Sequence, residues 1–298
     1  MPRVLIVYKK SKYQLYFLEQ RESLRGLERI DEGEKQRLYE SHRVHEETLA
    51  YVEDVLRQEG VDYQSMYRAG VHDVRGVEIV ISVGGDGTLI EAARYMENQQ
   101  LLGVNSDPQR SVGYFCAGTR ANFRELLKQA LAGTLREIRL CRMELILDGI
   151  RLPELVMNEL LIAHERPSAM SRYELCIGDI REVHYGSGLW LSTAAGSSGA
   201  IYSAGGRQQP PRSRRLQFLA RELFQKRERG YRLVHGFVGE GQSVFVRSLM
   251  REGEIWLDGS HIRHPFGYGA VLEARLAKFP LRLLVTGNEM LFRRERGR

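Results

Sequence analysis

Cysteine is scarce in this sequence, with only Cys116, Cys141 and Cys176 in a chain of 298 residues. The three lie far apart, so no pair has the spacing of metal ligands, and an odd count does not suit a disulfide framework. We therefore expect buried thiols in a reducing compartment, and neither a zinc site nor a scaffold held together by disulfides.

Long apolar runs are also missing. No stretch of about 18 or more apolar residues occurs, which argues against a transmembrane helix. The first strand-like run, Arg3 to Tyr8, begins almost at the first methionine, so we expect no signal or transit peptide ahead of the fold. Together these absences predict a cytoplasmic protein that has no membrane partner.

Positive charge is in excess, with a formal net charge of +6 and a pI near 9.2. Such a balance attracts anions without selecting among them. The richest basic stretch, from Arg207 to Arg232, resembles a loop and one solvated helix, and it includes Lys226, Arg227 and Arg229. Because it lacks interleaved aromatic residues that could stack on bases, we do not expect a nucleic-acid partner.

The N-terminal part of the chain alternates strand and helix patterns. Buried strands are predicted at residues 4–8, 77–83 and 101–104, and helices at 33–58, 89–96 and 121–131. Strands separated by helices are typical of a parallel sheet, so residues 1–135 are predicted to form a Rossmann-like α/β domain.

The pattern changes after about Leu135. Short alternating strands are predicted at residues 137–147, 156–163, 172–177, 188–192, 243–248, 253–257 and 270–277. Such strands are typical of antiparallel sheets, so residues 136–280 are predicted to form a β-rich, sandwich-like domain. The fold class is therefore α/β, with a C-terminal β domain.

The strongest motif is Gly84-Gly85-Asp86-Gly87-Thr88, which lies between a predicted strand and a predicted helix. Glycines allow a phosphate to approach the main chain, and the start of a helix offers free N–H groups and a positive dipole end. Thr88 and Glu91 have the spacing of a capping box. Ligands bind at the carboxyl ends of such parallel strands, so we predict a nucleotide-binding turn at this point.

Asp86 is unexpected in this turn, because a carboxylate repels phosphate. It could accept a proton from an attacking hydroxyl or help to hold Mg²⁺. Alternatively, it could stabilise a tight turn through its own backbone. The motif alone leaves these three interpretations open.

Three further segments occur in order after the turn: Leu102 to Pro108 with Ser111 to Phe115, then Met157-Asn158-Glu159, then Ser192 to Gly199 ending in Ser203 to Gly206. Together with the turn, they resemble the NAD kinase family, within a superfamily that also holds lipid kinases and 6-phosphofructokinases. This resemblance implies phosphorylation of the adenosine-ribose 2′-hydroxyl of NAD or NADH by ATP with Mg²⁺. It also implies a substrate cleft between the domains and a final segment, 281–298, packed on the first domain.

The resemblance assigns roles to individual residues. Asp86 matches the aspartate that activates the 2′-hydroxyl, and Asn158 and Glu159 match the pair that grips the adenosine. Taken alone, those two could equally form a turn at a strand edge. The set predicted to contact the dinucleotide comprises Gly87, Tyr114, Phe115, Asn158, Glu159, Thr193, Ser197 and Ser198, and the set predicted for the phosphate turn comprises Gly84, Gly85 and Thr88.

One segment departs from the common family pattern. Ala195 and Ala200 stand where most members have threonine and tyrosine. The neighbouring segments are closer to the plant NADH kinase branch, which also has alanines at these positions. The departure leaves the choice between NAD and NADH open, although not the kinase class.

Two other functions are alternatives. A lipid kinase would share the glycine-aspartate turn but need an apolar acceptor cleft, and Asn158-Glu159 and the Gly196 to Gly206 segment argue against it. A non-catalytic protein that senses NAD is the second, and the presence of Asp86 argues against it. The family also implies a homodimer or homotetramer assembled through the β-rich domain. Lys9 and Lys10 follow the first strand and could meet donor phosphates, although a solvated surface is the simpler interpretation. His42, His45, His261 and His264 are expected on the surface or beside a hairpin, without metal.

Overall fold

The computed structural model describes residues 2–19, 30–224 and 230–287. The chain divides into two compact units, one from the described parts of Met1–Ile138 and Arg282–Arg298, the other from Arg139–Leu281. Among the described residues, no helix combines the length and the apolarity that a membrane crossing requires.

Helices and strands are numbered in chain order. The helices are α1 (Glu32–Gln58), α2 (Asp86–Ala93), α3 (Phe123–Leu131) and α4 (Ala200–Ser203). The strands are β1 (Val4–Tyr8), β2 (Tyr63–Tyr67), β3 (Ile79–Gly84), β4 (Gln100–Asn105), β5 (Gly118–Thr119), β6 (Arg136–Leu140), β7 (Met143–Leu147), β8 (Ile150–Arg151), β9 (Glu159–His164), β10 (Ser171–Ile177), β11 (Ile180–Gly186), β12 (Gly188–Ser192), β13 (Leu216–Arg221), β14 (His235–Val238), β15 (Ser243–Ser248), β16 (Gly253–Leu257), β17 (Ile262–Pro265), β18 (Val271–Leu276) and β19 (Leu281–Val285).

The first unit is built on one sheet, in the order β2-β1-β3-β4-β19-β6, with β5 beside β4. β1 pairs in parallel with both β2 and β3, and β3 pairs in parallel with β4. Apolar residues of α1 and α3, among them Val52, Leu56 and Phe123, pack against one face of the sheet.

Strand order positions the chemistry of this unit. The chain moves from β1 to one side of the sheet to form β2, and to the other side to form β3 and β4. The direction therefore reverses between β1 and β3, and the crevice outside the carboxyl ends at such a switch point is where ligands bind. Lys9 follows β1 at this edge, and the Gly84–Thr88 turn ends β3.

The second unit contains two six-stranded sheets, β11-β10-β15-β18-β7-β8 and β14-β13-β12-β9-β16-β17. Their pairings are antiparallel. Alternate residues from both sheets, such as Leu175 and Val246 from one and Ile162 and Leu191 from the other, form a single apolar cluster. This arrangement is a β-sandwich, and it confirms the predicted fold class.

The Arg-rich stretch differs from its prediction. Residues 207–215 form the predicted loop, but in place of a solvated helix Leu216–Arg221 is a strand in the interior of the second sheet, buried at five positions out of six. The segment Leu216-Gln217-Phe218-Leu219-Ala220 is mostly apolar, and its burial stabilises the strand by more than the flanking charged residues destabilise it. Lys226, Arg227 and Arg229 lie outside the described residues.

Candidate functional site

The glycine turn of the first unit joins β3 directly to α2. Gly85 is the N-cap, and the helix begins at Asp86. A Cβ atom at Gly84 would overlap the Thr88 side chain, and one at Gly85 would overlap Ser111 Oγ. The two glycines therefore make a turn too tight for any side chain.

The predicted capping box is wrong. No side chain of the described residues caps α2, because the helix begins before Thr88 and takes that residue into its first turn. The Thr88 hydroxyl is buried, and Glu91 forms an ion pair with Arg68 at 3.2 Å. The start of α2 consequently keeps its backbone N–H groups free of any side-chain cap.

The Asp86 carboxylate is held by two backbone donors. The N–H of Tyr114 donates to Oδ2 and the N–H of Phe115 donates to Oδ1, each at 2.9 Å. A carboxylate has about four acceptor positions, so these two bonds fix its orientation and still leave capacity for a further donor or a cation. Asp86 is half-buried, which suits a group that meets a ligand.

A short loop brings those two donors to Asp86. The Asn105 side chain ties the loop together, donating to the carbonyl of Ser111 at 2.9 Å and accepting from the N–H of Asp107 at 3.2 Å. Gly113 has a φ of +60° and lies where a Cβ would overlap the Asn105 amide, so only glycine fits there.

Tyr114 and Phe115, both predicted to contact the dinucleotide, are placed differently. The Phe115 ring is buried, whereas Tyr114 is half-buried and meets it edge to face at 4.9 Å between centroids. Phe115 reaches the site through its backbone N–H, and Tyr114 is the one of the two whose ring is partly exposed.

His45, predicted on the surface, is fully buried. Burial lowers the pKa of His45 to about 4, with the Lys9 charge as a further cause, so the imidazole is neutral. Its Nε2 is 2.8 Å from the carbonyl of Lys9, and its Nδ1 is 2.9 Å from Ser106 Oγ. A carbonyl only accepts, so Nε2 carries the proton and Nδ1 accepts from Ser106. His45 therefore joins the end of β1 to the end of β4.

The two lysines after β1 are not equivalent. Lys10 forms an ion pair with Glu19 at 2.7 Å. The amine of Lys9 is half-buried, and no ion-pair partner lies within 4 Å among the residues that the structure describes. Burial lowers the pKa of Lys9, and Arg68 and Lys12 add to that effect while Asp107 opposes it.

In the second unit, Glu159 is the first residue of β9, and Asn158 directly precedes it. Their backbone is held by Asp258, in the turn between β16 and β17. Asp258 Oδ2 accepts from the N–H of Met157 at 3.0 Å, and Oδ1 accepts from Asn158 at 2.6 Å and from Glu159 at 3.2 Å. The sequence motifs do not include Asp258; the Asp258-Gly259 pair, a strong hairpin signal, was the available clue.

Two side-chain atoms of this motif are buried and have no hydrogen-bond partner among the described residues: Asn158 Oδ1 and Glu159 Oε2. Burial, and then the nearby charge of Asp258, raise the pKa of Glu159 to about 7. Unsatisfied buried oxygens are costly, and donors from a ligand are one way to offset that cost. The motif therefore holds two acceptor oxygens of the kind that hydroxyl or amine donors would satisfy.

The glycine-rich segment packs against the same motif. Gly196 lies so close to the backbone of Asn158 that a Cβ would overlap it. The hydroxyl of Thr193 donates to the carbonyl of Met157, and that of Ser197 donates to Ala194 at 2.7 Å while accepting from Gln209 at 2.8 Å. Thr193 and Ser197 are buried, whereas Ser198 is half-buried.

Other predicted features are located as follows. Cys141 is buried, Cys116 and Cys176 are half-buried, and all three are free thiols. His261 lies in the turn of the β16–β17 hairpin and His264 lies in β17. Within the described ranges, no group of three or more His, Cys, Asp or Glu side chains is placed to hold a metal ion.

Comparison with known proteins identifies relatives. No protein-family model matches the chain. The sequence is 35% identical over 254 residues to a probable NADH kinase of Oryza sativa subsp. japonica, covering 78% of each protein. It is 32% identical over 264 residues to the NADH kinase of Arabidopsis thaliana, covering 78% of this chain and 80% of the plant protein.

Solved structures share the fold. An NAD kinase from Archaeoglobus fulgidus in complex with ATP aligns with a TM-score of 0.67 at 19% identity, over 98% of this chain and 96% of that one. A yeast NADH kinase complexed with NADH aligns with a TM-score of 0.70 at 11% identity, over 99% and 86%. With the extent and identity of the plant matches, the predicted resemblance is confirmed: this chain belongs to the family of NAD and NADH kinases.

Proposed function

We propose that this protein transfers the terminal phosphoryl group of ATP to the adenosine-ribose 2′-hydroxyl of NAD or NADH, giving NADP or NADPH. The observation that carries the proposal is Asp86, a carboxylate oriented by two backbone N–H groups in a glycine turn at the start of a helix. Family membership supplies the reaction, and this turn supplies a group able to perform it.

The reaction needs one proton acceptor. The 2′-oxygen forms a bond to the terminal phosphorus, the bond from that phosphorus to the bridging oxygen breaks, and ADP leaves. We assign the 2′-hydroxyl proton to the Asp86 carboxylate, whose two hydrogen bonds leave acceptor positions open. Phosphoryl transfer otherwise depends on positioning and on neutralisation of charge.

We assign the adenosine to Asn158 and Glu159, since each carries a buried oxygen that has no partner in the part of the chain that the structure describes. Ribose hydroxyls and the adenine amine are donors of the kind these oxygens need. The hydroxyls of Thr193 and Ser197 already form hydrogen bonds within the unit. We therefore infer that they stabilise the segment beside Asn158 and do not contact the ligand. Ser198, being half-buried, stays a proposed contact.

A divalent cation is also part of the proposal. Mg²⁺ usually keeps several waters and is bound by one or two carboxylates together with substrate phosphates. A turn with one oriented carboxylate fits this mode, and Asp86 is the residue that would contact the ion. When bound, the ion would neutralise phosphate charge.

We further propose that the enzyme accepts both NAD and NADH. The reacting hydroxyl is on the adenosine ribose, whereas the two forms differ at the nicotinamide by one positive charge and a puckered ring. A cation–π contact with an aromatic face is worth roughly 0.5–2 kcal/mol. Ala200, at the start of α4, stands where most of the family has tyrosine, so one such face is missing. We expect kcat/KM values within about 100-fold of each other, near 2.7 kcal/mol.

The test is an assay of NADP and NADPH formation under anaerobic conditions, with NAD and NADH as acceptors and with ATP, other nucleoside triphosphates and polyphosphate as donors. Diacylglycerol serves as a parallel acceptor. We expect transfer to the dinucleotides and none to the lipid. Transfer to diacylglycerol would support a lipid kinase, and dinucleotide binding without turnover would support a non-catalytic NAD sensor.

The proposal also covers the oligomeric state of the protein and its cellular compartment. We propose a homodimer or homotetramer formed through the β-rich unit, in the cytoplasm. Light scattering at micromolar concentration tests the assembly, and a monomer would contradict it.

A further inference from the structure

We propose that Lys9 and Arg68 bind the phosphates of the donor nucleotide, as a pair of cations at the ends of β1 and β2 beside the Gly84–Thr88 turn. The inference rests on the proposed function and assigns donor contacts that the sequence motifs do not supply. It depends on four observations within the first unit.

The first observation is register. Tyr8 of β1 is paired with Tyr67 of β2 and with Val83 of β3, in parallel in both cases. The residues that come next are Lys9 after β1, Arg68 after β2 and Gly84 at the end of β3, and they therefore lie side by side. Three adjacent parallel strands thus end in two cations and the glycine turn. Their carboxyl ends lie at the switch point of the sheet, where ligands bind in such folds.

The second observation is the position of the Arg68 guanidinium. Its Nε is 3.2 Å from Oε2 of Glu91 on α2, and a Cβ at Gly87 would be 3.8 Å from its Nη1. The guanidinium therefore lies beside the first turn of α2, at Gly87. Guanidinium has five N–H donors in a planar fork, so the contact with Glu91 leaves donors for phosphate oxygens.

The third observation is the isolation of Lys9. A half-buried ammonium without a carboxylate partner is destabilising unless some group offsets its loss of hydration. Within the described ranges, no ion pair does so for Lys9, although Asp107 lies near enough to raise its pKa. Arg68 and Lys12 oppose Asp107, so the charge of Lys9 is only partly offset by its surroundings. An anionic ligand would supply the missing partner.

The fourth observation is that the Lys9 backbone is anchored. The buried, neutral His45 donates to the Lys9 carbonyl at 2.8 Å and is held in turn by Ser106. The backbone of Lys9 is therefore fixed, while its side chain has no ion-pair partner among the residues that the structure describes. This arrangement is expected of a preorganised anion contact, since little conformational freedom is lost on binding.

The test separates donor from acceptor by steady-state kinetics. Lys9→Met should raise the KM for ATP roughly 10- to 100-fold, the size of a charge-assisted hydrogen bond, and leave the KM for the dinucleotide within about threefold. Lys9→Arg should recover part of the loss. The adjacent Lys10→Met is the matched control, because Lys10 already has a partner in Glu19, and it should change the KM for ATP by less than about threefold.

Arg68 needs its own control, since it also pairs with Glu91. Arg68→Gln should raise the KM for ATP, whereas Glu91→Gln should not, although both remove the same ion pair. If the two variants behaved alike, Arg68 would act through the ion pair and not through phosphate. If Lys9→Met raised the KM for the dinucleotide instead, the cations would bind the acceptor, and the proposal would be overturned.

Binding of inorganic tripolyphosphate, measured by calorimetry, gives a readout that does not depend on turnover. Lys9→Met should lose most of that binding and Lys10→Met should keep it, with melting temperatures showing that both fold. If the wild-type protein phosphorylated neither NAD nor NADH, the proposed function would fail, yet this measurement would still test the two cations. Unchanged tripolyphosphate binding in Lys9→Met would overturn the inference alone.

Discussion

The two units prepare their carboxylates in opposite ways. Asp86, in the parallel-sheet unit, has an N–H donor on each oxygen. Glu159, in the sandwich unit, has a buried oxygen that no described residue pairs with, and its pKa is raised to about 7. A carboxylate supplied with donors is kept in one orientation, whereas one without donors is prepared to gain them from a ligand. This difference suggests that Asp86 acts on the reacting group and that Glu159 recognises its substrate.

The largest effect is expected at Asp86. Asp86→Asn should lower kcat by ~10²–10⁴-fold, the cost of losing a positioned general base, and leave dinucleotide affinity near its starting value. The amide also turns an N–H₂ group towards one of the donors that now bind the carboxylate. Steady-state kinetics and calorimetric titration with NAD measure the two quantities.

Asp73→Asn is the control for Asp86, because Asp73 likewise accepts a backbone N–H, from Arg75 at 2.8 Å, but is largely exposed. It should leave kcat unchanged. A kcat of Asp86→Asn within about threefold of wild type, far below the loss expected for a general base, would remove Asp86 from the chemistry.

The next largest effect is expected at Asp258, whose carboxylate accepts a hydrogen bond from the backbone N–H of Glu159. Asp258→Asn leaves at least one of three backbone N–H groups without an acceptor, at roughly 1–3 kcal/mol each. The melting temperature should fall by several degrees, since 1 kcal/mol is worth about 2–4 °C in a protein of this size class. Differential scanning calorimetry measures the shift.

Asp148 provides the comparison. It has a positive φ of 50°, as Asp258 has one of 48°, but its carboxylate accepts from a single backbone N–H, that of Val271 at 2.8 Å. Asp148→Asn should therefore lower the melting temperature less. Equal shifts would show that the turn conformation, and not the number of hydrogen bonds, determines the cost.

These residues show what the sequence could predict. Alternating strands and glycine turns are local signals, so β1, β12, β15 and β16 lie at the predicted residues. Asp258 contacts a motif about a hundred residues away in the chain, and no local pattern reveals such a contact. Lys9 and Lys10 are indistinguishable in sequence, because burial and the partner Glu19 separate them only in the fold. The predictions for His45 and β13 are wrong for a related reason, since polar neighbours conceal their burial.

Glu159 should show its role in substrate affinity. Glu159→Gln should weaken dinucleotide binding by roughly 1.5–3 kcal/mol, the contribution of a charge-assisted hydrogen bond, and affect ATP less. The wild-type affinity should also depend on pH. Because the pKa of Glu159 is about 7, the ionised fraction rises roughly tenfold between about pH 6 and pH 8, and the Kd for NAD should fall accordingly.

The Gln variant is the control for that pH dependence, since it cannot titrate at this position and its Kd should stay nearly constant. Asp258→Asn should move the wild-type midpoint to lower pH, because the charge of Asp258 helps to raise the pKa of Glu159. Equal loss of affinity for NAD and ATP in Glu159→Gln would instead make Glu159 a structural residue.

The smallest effect concerns the stability of the free protein. Ionisation of Glu159 should strengthen dinucleotide binding but lower the free energy of unfolding. The folded-state pKa of Glu159 is raised to about 7 from an ordinary value of 4.5, so folding favours the protonated carboxyl. Its ionisation therefore destabilises the free protein fully above pH 7, less as the pH falls through that value, and not at all below about pH 4.5. Glu159→Gln should thus be more stable than wild type at pH 8, by about 1–3 kcal/mol once solvent screening of a half-buried group is allowed for, and nearly equal to it at about pH 5. Urea denaturation of both proteins without ligand, across this range, measures the difference. A variant that is less stable at every pH would mean that Glu159 is bound by protein groups in the free enzyme, and the contrast between the two carboxylates would then be wrong.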